Sequence, residues 1–363
     1  MINTKKFVDL LIKNKINFFS GVPDSCTNNF CTEINKRKKA INIIAPNEGC
    51  AVSLGIGYNL STKKIPCVYL QNSGLGNATD PITNLISKEI YNLPLLMIIG
   101  WRGKPGTLDE PQHVIQGKSL LKTLKSYNIG YTFLNSNKNL FRIKKILKSI
   151  KKKSLRYAIV VDKNSFAKVR RKKQKQKNYL TRYELINYLL MKINKKTKIF
   201  SSVGYNSREL YQIRKEKNFK NGKDFLIVGG MGHTFAIAIS YAQNNNDQVI
   251  CLDGDGSFMM HLGSFSLLNK FKKKNFKYIM IDNNSHESIG DQKINLKQIN
   301  YKLLVKSLGF KKYFYVQNKS FLSINQFLNS SGPSFLHVKV KIGTLKNLYR
   351  PKNFQFLKKS FLN

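Results

Sequence analysis

Gln248-Val249-Ile250-Cys251-Leu252-Asp253-Gly254-Asp255-Gly256-Ser257 reads as a hydrophobic strand that ends in a glycine-flanked acid and runs on into a helix. Gly254 and Gly256 let the backbone approach a phosphate closely, and the helix start around Ser257 offers unpaired N–H groups to an anion. The Asp255 carboxylate would repel that anion unless a cation stood between them. A second strand, Lys277 to Ile281, ends in Asp282-Asn283-Asn284-Ser285, with Asn283 28 positions beyond Asp255. A carboxylate at Asp255, an amide oxygen at Asn283 and the main-chain carbonyl of Ser285 would make half of a hard-oxygen shell. Such a shell suits octahedral Mg2+, completed by phosphate oxygens and water. Gly-Asp-Gly alone is mostly a turn; the two strand ends together read as a metal and phosphate site.

Two further segments could carry chemistry. Ile43-Ile44-Ala45-Pro46-Asn47-Glu48-Gly49-Cys50-Ala51 places one acid between a strand and a helix of small residues. A carboxyl there is desolvated and needs a polar partner, or else it complements the helix macrodipole. Val228-Gly229-Gly230-Met231-Gly232-His233 is a glycine-rich turn that presents one bulky aliphatic residue, Met231, whose alternative use is core filler.

The elements that position these residues alternate strand and helix. In the first half Asn17 to Ser20, Ile41 to Ala45, Cys67 to Gln71, Leu95 to Gly100 and Tyr157 to Val161 read as buried strands, and Phe7 to Lys13, Glu48 to Leu60 and Leu140 to Ile150 as helices. From Thr181 a second alternation begins, with strands near Lys198 to Ser201, Phe225 to Val228, Gln248 to Leu252, Lys277 to Ile281 and Ser334 to Val340. The fold class expected is α/β, with two doubly wound parallel-sheet domains at 1–165 and 181–363. The cationic stretch around Lys168 to Lys177 falls in the linker expected at 166–180. A length of 363 residues agrees with two cores.

The chain has 63 Lys and Arg against 19 Asp and Glu, a formal charge of +44. Taken alone this points to nucleic acid or an anionic surface, but the lysines are spread through the chain with many Asn and Ile. That pattern matches drift in an AT-rich genome rather than a clustered binding face. No specific nucleic-acid partner is expected. Apolar runs such as Leu93 to Trp101 are too short to cross a bilayer and no signal-peptide layout opens the chain, so a cytoplasmic protein with no membrane partner is expected. The five cysteines are odd in number and lack metal-type spacing, which predicts reduced thiols without zinc.

Gly254-Asp255-Gly256 followed by Asn283-Asn284 resembles the thiamine-diphosphate motif of the 2-oxo acid decarboxylase and acetolactate synthase superfamily. The resemblance implies thiamine diphosphate and Mg2+ as cofactors. It makes Asp255, Asn283 and Ser285 metal ligands and assigns Gly230, Met231, Gly254, Asp255, Gly256, Ser257 and Asn283 to the cofactor. Met231 becomes the wedge beneath that cofactor, and Glu48 the acid that hydrogen-bonds N1′ of its aminopyrimidine. A chain of this length has no room for the middle domain of many members, which is similar to the phosphonopyruvate and sulfopyruvate decarboxylase branch. Phe19 to Ser25, Gly100 to Gly103, Asp109 to His113 with Gln116-Gly117, Ser207 to Leu210 and His286 to Gln292 also resemble that branch.

The implied reaction converts 3-phosphonopyruvate to phosphonoacetaldehyde and carbon dioxide, in phosphonate biosynthesis. A sulfopyruvate or other 2-oxo acid decarboxylase is the alternative, and a basic nucleic-acid-binding protein the alternative of another class. Arg102 offers a planar fork to a phosphonate, and His113 a proton or a hydrogen bond. Ser25, Arg102, His113 and Gln116 are the substrate residues expected, with Asp24, His113 and Glu48 catalytic. The resemblance also implies a homodimer or homotetramer in which Glu48 of one subunit meets Asp255 of another.

Overall fold

The computed structural model describes residues 1–170, 178–271, 274–289, 292–294 and 298–362. Strands with unbroken apolar runs, such as β3 (Cys67–Gln71, apolar up to Leu70) and β4 (Leu95–Trp101), are buried on both faces, as a parallel sheet covered by helices requires. The chain divides into two compact units, Met1–Lys173 with Ile289–Lys293, and Gln174–Ser288 with Ile294–Asn363.

The first unit holds β1 (Phe18–Gly21), β2 (Ile41–Ile44), β3, β4, β5 (Gly130–Phe133) and β6 (Arg156–Asp162), all parallel in the order β2-β1-β3-β4-β6-β5. Helices α1 (Thr4–Lys13), α2 (Asn28–Ile34) and α6 (Asn139–Lys153) cover one face through Phe7, Phe30, Ile143 and Leu147. Helices α3 (Glu48–Thr62), α4 (Leu75–Asn84) and α5 (Val114–Ser126) cover the other through Ala51, Val52, Ala78 and Leu120.

The second unit holds β7 (Lys198–Ser201), β8 (Lys223–Leu226), β9 (Val249–Gly254), β10 (Phe276–Asp282), β11 (Lys312–Val316) and β12 (Ser334–Lys339), parallel in the order β11-β12-β10-β9-β7-β8. Helices α7 (Arg182–Lys192) and α8 (Tyr205–Lys217) pack Leu185 and Leu210 on one face; α9 (Thr234–Gln243) and α10 (Asp255–Met260) pack Phe235 and Phe258 on the other. Counted first to sixth within its own unit, each sheet runs second-first-third-fourth-sixth-fifth, so the two halves repeat one topology. In both, the chain leaves the first strand for opposite sides, and the carboxyl edge at that reversal is where open α/β sheets bind ligands.

The α/β class with two doubly wound parallel sheets agrees with the sequence. Within the two six-stranded sheets, β5 and β11 are not among the strands expected from sequence. Both lie at a sheet edge and are mostly exposed or half-buried, so they lack the unbroken apolar run of a central strand. Strand β8 begins at Lys223, two residues before the expected Phe225. Of the cationic stretch, residues 171–177 lie outside the described residues. Phe166 is buried in the first core and Leu180 in the second. Among the described residues no helix is long and apolar enough to cross a membrane.

Local chemistry fixes the helix starts that matter. The Asn47 side chain accepts from the Cys50 N–H and caps α3 just before Glu48. Thr181 and Glu184 form a reciprocal capping box that begins α7 at Arg182. At the end of β1, a Cβ on Gly21 would lie 2.1 Å from the Tyr69 carbonyl oxygen of β3. Gly21→Ala should therefore destabilise the first unit by about 1–3 kcal/mol, seen as a lower urea midpoint in tryptophan fluorescence. An unchanged midpoint would mean that β1 can move off β3 at no cost.

Candidate active site

Glu48 is the first residue of α3 and is only 6% exposed. Burial raises its carboxyl above the ordinary range, against the hydrogen bond from Asn77 Nδ2 to Oε2 at 2.8 Å. The other oxygen faces Gly74, where a Cβ would stand 2.4 Å from Oε1. A glycine is needed there for the carboxyl to keep its place. Glu48 is thus a desolvated acid with one oxygen fixed and a raised affinity for a proton.

A second cluster is built from the ends of β1 and β4. Asp24 is buried; its Oδ1 accepts from the Thr27 N–H at 2.8 Å and hydroxyl at 2.5 Å, while its buried Oδ2 has no hydrogen-bond partner. Gly100 leaves room for that oxygen, since a Cβ there would approach it to 2.4 Å. Arg102 follows β4 and donates from Nη1 to Ser25 Oγ at 2.9 Å. Its Nε and Nη2 close on Asp109 at 2.7 and 2.5 Å, so the fork that the sequence offered to a phosphonate is already engaged by a carboxylate. Burial alone would raise the Asp109 carboxyl, but Arg102 and the Gly103 N–H outweigh it and take it down to about 2. His113 is half-buried on a short turn whose backbone packs on Gly103. Gln116 stands exposed on the first turn of α5, outside this hydrogen-bonded set.

The segment that joins the two clusters was missed from sequence. Asn72 exchanges two hydrogen bonds with the Arg102 backbone, at 2.9 and 3.0 Å, while Gly74 and Asn77 flank Glu48. Gln71-Asn72-Ser73-Gly74-Leu75-Gly76-Asn77 follows strand β3 just as Gly254-Asp255-Gly256 follows β9. That glycine-rich strand end was the available signal.

In the second unit Asp255 opens α10 and is 4% exposed. Its Oδ1 accepts from the Gly256 N–H at 2.8 Å and its Oδ2 from the Asn284 N–H at 2.7 Å, which ties the end of β9 to the end of β10. Asn284 takes a left-handed φ of 53° and turns the chain between Asn283 and Ser285. Asn283 Oδ1 accepts from the Ser285 N–H at 3.0 Å. Burial and then the charge of Asp282 raise the Asp255 carboxyl, despite its two N–H donors. Asp282 is itself desolvated, yet hydrogen bonds from His337 and Lys339 keep it below the ordinary range. Lys339 and His337 compensate Asp282, while Asp255, Asn283 and the Ser285 carbonyl are hard-oxygen donors able to hold a cation of their own.

Around them, Ser257 Oγ accepts from the Gly232 N–H at 3.1 Å and so links α10 to the glycine turn. Gly230 and Gly232 take φ of 70° and 86°, open to glycine and strained for other residues. Met231, between them, is half-buried rather than part of the core. Gly256 lies against His286, where a Cβ would come 2.7 Å from Cε1. Burial pushes the His286 imidazole down to about 4, so it is neutral at pH 7.

A buried acid at the carboxyl edge of one parallel sheet and an oxygen-donor set at the carboxyl edge of the other suit a cofactor-dependent α/β enzyme. The chain belongs to the thiamine pyrophosphate enzyme family: residues 4–119 match its N-terminal TPP binding domain and residues 202–338 its C-terminal TPP binding domain. Across 92% of its length it is 25% identical to a phosphonopyruvate decarboxylase of Streptomyces viridochromogenes, 87% of which is covered. It is also 33% identical over 132 residues to the beta subunit of a sulfopyruvate decarboxylase of Methanocaldococcus jannaschii, covering 36% of this chain and 68% of that one. The residues present fit thiamine diphosphate. Gly74 leaves Glu48 Oε1 clear, and Gly254 and Gly256 leave bare backbone on either side of Asp255.

Because the folded Asp109 carboxyl lies near 2 rather than at its ordinary 3.8, its pairing with Arg102 contributes stability at higher pH that is lost as the pH falls between those values. The stability difference between the protein and Asp109→Asn should stay level from about pH 8 to about pH 5 and shrink only below about pH 4. Thermal melts of both across that range test this, and a difference that already closes near neutrality would refute it.

Proposed function

We propose that this enzyme decarboxylates 3-phosphonopyruvate to phosphonoacetaldehyde and carbon dioxide in the cytoplasm, as a step in phosphonate biosynthesis, with thiamine diphosphate and Mg2+ as cofactors. Similarity along nearly the whole length to a phosphonopyruvate decarboxylase carries the reading. The sulfopyruvate relative makes sulfopyruvate the second candidate substrate. Bound thiamine diphosphate supplies the carbon nucleophile and the electron sink for loss of carbon dioxide.

The protein's own residues have these proposed roles. Asp255, Asn283 and the Ser285 carbonyl hold Mg2+ against the diphosphate, with Gly254, Gly256 and Ser257 supplying close backbone approach and helix N–H groups. Gly230 and Met231 support the cofactor from the glycine turn. Glu48 holds a proton on Oε1 and shares it with N1′ of the aminopyrimidine, a task suited to a carboxyl whose proton affinity is raised by burial. Asp24, through its unpartnered Oδ2, and His113 move protons at the substrate. Arg102, with Ser25 and Gln116, receives the phosphonate. With its fork on Asp109, Arg102 meets that anion either through the Nη1 edge beside Ser25 or by exchanging one anion for the other.

Phosphonopyruvate should be preferred to sulfopyruvate, and both to pyruvate, which lacks the second anionic group. Arg102→Ala should reduce the preference for phosphonopyruvate over pyruvate by about ten- to a hundredfold, the worth of a charge-assisted contact. The ratio of kcat/KM for the three acids measures this independently of any loss of folded protein. Equal slowing on all three would overturn the substrate assignment while leaving the cofactor untouched.

We further propose that the active unit is a homodimer or homotetramer in which Glu48 of one copy and Asp255 of another serve one cofactor. Glu48→Gln and Asp255→Ala should each be inactive alone. When the two are unfolded and reassembled together, up to about a quarter of the wild-type activity should return, because a mixed dimer then contains one site with both residues intact. No recovery would place both residues of a site on one copy.

A further inference from the structure

An asparagine can hold a cation only through its amide oxygen, and the amide can sit either way round. In the second unit the choice at Asn283 is made by Glu287. The Glu287 carboxylate can only accept, and Asn283 Nδ2 donates to its Oε2 at 2.8 Å. This turns the amide nitrogen toward Glu287 and leaves Oδ1 on the side where it accepts from Ser285 N–H at 3.0 Å. The flipped amide would set oxygen against a carboxylate.

Glu287 is in turn held from two further directions. Arg182 Nη2 donates to its Oε2 at 2.5 Å, and the Gly343 N–H donates to its Oε1. Arg182, the first residue of α7, also donates from Nη1 to Glu209 Oε1 at 3.4 Å. Glu209 Oε1 further accepts from the Thr344 hydroxyl at 2.5 Å and the Leu345 N–H at 3.3 Å. The side chains of Arg182, Glu209 and Glu287 are 4%, 1% and 6% exposed. Burying one guanidinium between two carboxylates costs about as much solvation as the pairing returns, so net stability does not account for the triad. Arg182 Nε and Glu209 Oε2 even lack hydrogen-bond partners. What the triad provides is a fixed acceptor beside Asn283 and an excess of negative charge there.

We propose that Glu287, locked by Arg182 and Glu209, is a positioning residue that presents the Asn283 amide oxygen to the metal ion. This rests on the reading of Asn283 as a metal ligand. The test is Mn2+ affinity of the full-length protein with thiamine diphosphate, followed by the free-Mn2+ resonance signal, for Glu287→Gln, Asn283→Ala and the double variant. Glu287→Gln should weaken Mn2+ binding about ten- to a hundredfold, as loss of a hydrogen bond behind a ligand does. The double variant should bind no more weakly than Asn283→Ala, because Glu287 acts only through that amide. Glu287→Asp, which keeps an acceptor-only group, should bind Mn2+ more tightly than Glu287→Gln, and the same cycle run with it decides the matter if Glu287→Gln does not fold. Additive losses, or wild-type affinity in Glu287→Gln while Asn283→Ala binds weakly, would overturn the positioning role alone. Wild-type affinity in Asn283→Ala would instead overturn the metal-ligand reading on which it rests.

Discussion

In a sheet whose strands all run one way, the backbone groups at the carboxyl edge run out of ladder partners together, and whatever follows each strand must satisfy them. Both sheets of this protein meet that constraint in part with side chains. Asn72 pairs with the Arg102 backbone across the ends of β3 and β4. Asp255 does the same across the ends of β9 and β10, by accepting from Gly256 and Asn284. The groups that close the edge are therefore already converged when a ligand arrives.

The repeated strand order makes the two edges directly comparable. After the third strand one unit has Asn72 and the other Asp255; after the fourth, one has Arg102 and the other Asn283 to Ser285. After the second strand come Glu48 and the Gly230-Met231-Gly232 turn. One scaffold is thus written with an acid that can take up a proton and a cation engaged by a carboxylate in one half, and with oxygen donors and glycines in the other. The chemistry differs because the residues at equivalent strand ends differ, while the backbone plan does not.

The residues proposed to hold metal and phosphate stood out in the sequence because the pattern that singles them out is local: a strand, a glycine-flanked acid and a helix start within ten residues. Glu48 was legible because an acid between an apolar strand and a small-residue helix has few uses. Asn72 and Asn77 went unread since uncharged amides blend into a chain rich in asparagine. The closure of Asp109 on Arg102 and the triad of Arg182, Glu209 and Glu287 depend on loops that fold back or on helices far apart in sequence, and no periodicity reports such contacts. Edge strands β5 and β11 escaped for the related reason that half-exposed strands carry a weak apolar signature.

Among the described residues seven acids are buried, out of 19 in the chain, against four of the 63 basic residues. In a chain this skewed toward lysine, a carboxylate kept out of water stands out against a background of few acids. The acids that persist in the interior, at 24, 48, 209, 253, 255 and 282 among others, are then a readout of where negative charge has no substitute. In a chain with such a skewed alphabet, the scarce letter carries the most information.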